Sequence, residues 1–78
     1  MPGPLAASPP YDAAGIPIPL RSRVEQIRVD INHGALPSRL HQQGQVIDRS
    51  HYLVYVRFEL DQRLICLRSH LVRVIETT

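Results

Sequence analysis

Tyr52-Leu-Val-Tyr-Val-Arg-Phe-Glu-Leu-Asp-Gln-Arg-Leu-Ile-Cys-Leu67 decides the fold. From Tyr52 to Glu59 the stretch is rich in β-branched and aromatic residues, and no Gly or Pro interrupts it. Side chains alternate across a strand, so Tyr52, Val54, Val56 and Phe58 share one face and Leu53, Tyr55, Arg57 and Glu59 the other. Leu60-Asp61-Gln62 supplies a tight turn, and Arg63–Leu67 is the return strand. A hairpin alone is marginal in water, so the remaining segments must cover its apolar face. This signal concerns the fold; it names no chemistry.

Immediately upstream, Gly44-Gln45-Val46-Ile47-Asp48-Arg49 reads as a short strand opened by glycine, which suits a bulge or a close backbone approach. Ser50-His51 turns the chain into the hairpin. Downstream, Arg68-Ser69-His70-Leu71 fits a single turn of 3₁₀ helix, followed by a last strand over Val72–Ile75 and a fraying end. Further upstream, Ile27, Val29 and Ile31 alternate with Arg28 and Asp30. Leu20, Val24, Ile27 and Ile31 also fit a helical stripe, but the period of two is stronger and predicts a strand from about Glu25 to Ile31. Asn32-His33-Gly34 ends it. The loop from Asn32 to Gln43 is long for a small domain, a feature often tied to function. Leu36 and Leu40 are expected to tuck beneath it. His33, Arg39, His41, Gln42 and Gln43 make it polar.

Six of the seven prolines precede Arg21. Proline removes amide donors and disfavours helix in the residue before it. Residues 1–20 are therefore expected to form a disordered Pro-rich tail, with Ile16, Ile18 and Leu20 available to clip on as an extended edge. Residues 21–78 form the folded domain. About 55 residues are near the lower limit for a lone hydrophobic core, so a partner or a homo-oligomer would help.

The formal charge of +2 is too mild to demand nucleic acid. All nine basic residues are Arg, each able to make a forked contact to a carboxylate or phosphate. Cys66 is the only cysteine, so no internal disulfide forms and a reducing, cytoplasmic setting is natural. Among Leu64, Ile65 and Leu67 it is expected to be a buried, inert thiol. No apolar run approaches the roughly 20 residues of a transmembrane helix, and the start lacks the pattern of a secretory signal.

Strand, long loop, Gly-led strand, hairpin, single turn and short final strand is an order that resembles an SH3-like small barrel. The stretches that carry the resemblance are Gln26–Ile31, Gly44-Gln45-Val46, Val54-Tyr55-Val56-Arg57-Phe58 and Leu67-Arg68-Ser69-His70-Leu71-Val72-Arg73-Val74. The fold class implied is all-β, with about five strands. The Gly-x-Val and Val-x-Phe strands look like those of small barrel subunits of photosynthetic electron-transfer complexes. These are the O and S subunits of the cyanobacterial-type NDH complex and the variable chain of ferredoxin-thioredoxin reductase, accessory subunits without chemistry of their own. Type II dihydrofolate reductases are similar in size, in their leader and in a Gly-Gln opening like Gly44-Gln45. Their pore uses a Val-Gln-Ile-Tyr strand and a lysine; this chain has Leu64-Ile65-Cys66-Leu67 and no lysine, so that activity does not carry over. Peptide-binding SH3 domains need a tryptophan and an Ala-Leu-Tyr-Asp-Tyr type motif, both missing here.

His33, His41, His51, His70, Cys66 and Asp48 lack the paired close spacing of a zinc site, and no metal or cofactor is expected. Ser50-His51 and Ser69-His70 are sequence neighbours, which point to opposite faces on a strand and so make no nucleophile–base pair. With no phosphate-binding Gly-rich loop and no paired carboxylates, no enzyme activity is expected. Arg49, Arg57, Arg63, Arg68 and Arg73 cluster in the second half, and Tyr55 alternates with Arg57 on the hairpin's outer face. Tyr55, Arg57, Arg63, Arg68 and Arg73, with Arg39 and His41 from the loop, are the candidate contact residues. Tyr and Arg are enriched as interface anchors, so a protein partner is the expectation. The alternative is stacking and phosphate contact on single-stranded nucleic acid.

Overall fold

The computed structural model describes residues 9–77. Five strands form one antiparallel sheet: β1 (Arg23–Gln26), β2 (Gln43–Ser50), β3 (Leu53–Phe58), β4 (Leu64–Arg68) and β5 (Val72–Glu76), in the order β4-β3-β2-β1-β5. The remaining regular elements are 3₁₀ turns at Ile31–His33, Pro37–Arg39 and Ser69–Leu71; the described residues contain no α-helix. No ladder joins β4 to β5 among the described residues, so the sheet is not closed into a barrel by strand pairing.

The central hairpin keeps the expected alternation. Val54, Val56 and Phe58 are buried, whereas Arg57 and Glu59 are exposed. Tyr52 departs from it, lying in the turn before β3 and exposed. The core joins Val54, Val56 and Phe58 to Ile18, Val24, Ala35, Val46, Leu67, Leu71 and Val72. Gly44 sits opposite Phe58 in the β2–β3 ladder, and a Cβ there would lie 2.6 Å from the Arg57 carbonyl oxygen. Only glycine permits that approach. Three residues later, Ile47 has no partner between Val46↔Val56 and Asp48↔Tyr55. This bulge sharpens the twist of β2, the strand that pairs with β1 through Gln43–Gln45 and with β3 along its length.

The first strand is earlier and shorter than its alternation predicts. It spans Arg23–Gln26, not Glu25–Ile31, with Val24 and Gln26 inward. The buried Gln26 amide donates to the carbonyls of Arg28 and Leu36, both at 3.0 Å, which bends the chain away. Asp30 and Ala35 then exchange backbone hydrogen bonds, with Gly34 at φ 83° inside the loop they close. Val29 is consequently 43 % exposed and Ile31 65 %, so Val29 does not join the core. Leu36 is also exposed, and Leu40 is half-buried.

The expected tail is corrected from Pro9 onward; residues 1–8 lie outside the described residues. Ile18 is fully buried in the core. Asp12 organises the segment: its Oδ1 accepts from the amides of Ala14 (2.9 Å) and Ile16 (2.8 Å), and its Oδ2 from Val74 of β5 (2.8 Å). The Ala13 amide donates to the Val72 carbonyl at 3.0 Å. Proline's missing donors are no obstacle here, because Asp12 and its neighbours supply the bonds along the β5 edge.

Candidate interaction face

Side chains that alternate with the core project from the other side of the sheet. Ladder register arranges them in rows: Leu64–Arg57–Gln45–Arg23 across β4, β3, β2 and β1, then Cys66–Tyr55–Asp48, then Arg68–Leu53–Ser50. The middle of the β3–β4 half is apolar, formed by half-buried Leu53 and Tyr55 with exposed Leu64 and Cys66. Arg57 and Arg68 flank it in the same rows, whereas Arg63, one residue before β4, lies by Asp61.

Cys66 is exposed, which corrects the expected buried thiol. Its neighbours in sequence, Ile65 and Leu67, point inward, and β4 alternation puts Cys66 opposite Tyr55 on the outer face. The Tyr55 hydroxyl is held above its ordinary value of 10.0. The first cause is electrostatic, from the neighbouring Cys66 across the β3–β4 ladder.

The seven candidate residues separate into groups. Tyr55 and Arg57 share the outer face of β3, and Arg57 has no acidic partner within 4.0 Å among the described residues. Arg68 lies over the ring of Tyr52, 5.4 Å from its centroid. Arg63, in the β3–β4 turn, is exposed with Nε 3.8 Å from Asp61. Arg39 is engaged inside the fold: it makes a forked contact to Asp61 (3.3 and 2.9 Å) and covers Phe58 at 4.8 Å. The Arg39 hydrogen bond is the main reason the Asp61 carboxyl lies below its ordinary value. Arg73 and His41 converge on Glu25, at 2.9 and 2.8 Å. Glu25 is accordingly shifted down, first by Arg73 and then by His41. The structure thus gathers Tyr55, Arg57 and Arg68 on the outer face of the hairpin, sets Arg39 and Arg63 against Asp61 in its turn, and places Arg73 and His41 on Glu25.

A groove of about 320 Å³ opens beside this face. Arg21, Gln45, Arg57 and Gln62 line it, together with Arg23 and its two acidic neighbours Glu59 and Glu76. Arg23 is 2.6 Å from Glu59 and 3.9 Å from Glu76. Sequence reasoning missed Arg21, Leu64 and the exposure of Cys66. Strict alternation through Leu64-Ile65-Cys66-Leu67 carried the signal for the last two; an apolar run hides which parity faces out.

Among the described residues, no group of three or more His, Cys, Asp or Glu is placed to hold a metal ion. None of their helices is long and apolar enough to cross a membrane. The chain matches no known family model, no curated protein and no solved structure.

Proposed function

We propose that this chain is a non-catalytic protein-interaction module, a small accessory or regulatory subunit built on an SH3-like barrel. The carrying observation is the outer face of β3–β4: an apolar centre of Leu53, Tyr55, Leu64 and Cys66 flanked by Arg57 and Arg68. An apolar centre with a polar rim is the anatomy of a protein interface, and Tyr and Arg are its commonest anchors. The strand order, with a single 3₁₀ turn leading into β5, supports the SH3-like reading. The role as a subunit of a larger assembly rests on the small core and on the resemblance to accessory barrel subunits.

Affinity capture of tagged chain from host cells, compared with Tyr55→Ala and Leu64→Ala, tests the reading. Each substitution should reduce recovery of the same partner by about tenfold, while Leu36→Ala in the β1–β2 loop should not. Partner recovery unaffected by both face substitutions would refute it. So would sub-micromolar binding to a single-stranded oligonucleotide at physiological salt that Tyr55→Ala abolishes, the mark of a stacking platform.

A further inference from the structure

We infer that the groove beside the β3 face receives a carboxylate from an acidic segment of the protein partner, held between Arg21 and Arg57. The inference rests on the interaction reading above and names the partner's chemistry.

Three observations carry it. First, Arg21 and Arg57 both line the groove and have no acidic partner within 4.0 Å among the described residues. The groove's other guanidinium, Arg23, is already committed to Glu59 and Glu76. Those two acids are therefore partly neutralised, and the groove keeps three cations against two anions. Second, Arg21 and Gln62 are two of the four non-glycine residues at positive φ among the described residues, at 68° and 60°. Such backbone is strained and persists only where its surroundings hold it. Arg21 is held by its amide donating to the Val46 carbonyl at 2.8 Å and by Gln45 Nε2 donating to its own carbonyl at 3.3 Å. Third, the groove shares Arg57 with the apolar face, so a segment lying across Tyr55 and Leu64 would carry an acidic side chain into it. A planar guanidinium fork matches a carboxylate in two parallel hydrogen bonds, and two forks make the site selective for it.

The test titrates the ¹⁵N-labelled full chain with the capped peptide acetyl-Glu-Val-Glu-Val-Glu-amide, following the Arg Nε–Hε resonances. Saturable shifts should appear at Arg21 and Arg57, with half-saturation below about 1 mM. Arg21→Gln and Arg57→Gln should each weaken binding about fivefold or more. Arg28→Gln, exposed outside the groove, should leave it unchanged, and all three variants should retain the native spectrum. No shift at these two side chains, or equal weakening by Arg28→Gln, overturns the inference. Tighter binding at the same resonances by inorganic phosphate or by a deoxythymidine decamer overturns the carboxylate assignment. If the peptide fails while Tyr55→Ala still abolishes partner capture, the groove inference falls and the interaction face stands.

Discussion

Arg21 illustrates how one residue joins stability to the proposed function. Its left-handed backbone costs a side-chain-bearing residue about 1–3 kcal/mol, which glycine avoids at the expense of a more disordered unfolded chain. Arg21→Gly should therefore stabilise the fold by about 0.5–1 kcal/mol, seen as a raised melting temperature, while weakening the acidic peptide. A lowered melting temperature would show that the arginine side chain supports the fold instead. Phe58 makes the opposite case. It is 1 % exposed, sits under Arg39 and anchors the core, so Phe58→Ala should cost about 3–5 kcal/mol, measurable by denaturant unfolding. An unchanged midpoint would mean that the hairpin register is inverted. Phe58 was legible from alternation alone. Arg21 was not, because a positive φ at arginine has no sequence signature and arises from the bonds that Val46 and Gln45 make to its backbone.

At the scale of elements, the hairpin, the Gly-led strand, the 3₁₀ turn and the last strand could all be read from the chain, because each carries local turn chemistry or a covered face. The first strand and the leader could not. Ile27-Arg-Val-Asp-Ile31 has strand periodicity but no strand beside it, so Gln26 and the Asp30–Ala35 loop win. The leader's prolines conceal Asp12, whose carboxylate serves two amides of its own segment and one of β5. Asp12→Ala should strip those partners from a buried site and cost about 2–4 kcal/mol. By proportion, the melting temperature should fall by about 8–30 °C for a domain this size. A melting temperature within a degree of wild type would show that Pro9–Leu20 contributes nothing to the folded state.

Across the whole molecule, ion pairs tie the outer face together, and they set its acid limit. Glu25 binds Arg73 and His41, and its carboxyl lies below the ordinary value of 4.5. A carboxyl depressed in the folded state contributes stability that is complete above that ordinary value and is lost as pH falls through the folded one. Melting temperature should thus decline below about pH 4.5, and Glu25→Gln should flatten that decline. A wild-type slope in the variant would place the acid sensitivity elsewhere. The same outer surface leaves Leu64 and Cys66 uncovered beside Tyr55, in a domain whose core is barely large enough to stand alone. That combination is what the proposed function rests on, with the β3–β4 face as the seat of a protein partner. As the sole cysteine, Cys66 lies in the middle of the face and reports on it directly. The decisive measurement is the rate of Cys66 alkylation in the native chain, alone and in complex with the captured partner. The free chain should label readily, and the complex should react at least about tenfold more slowly. Equal rates in the two states would contradict it.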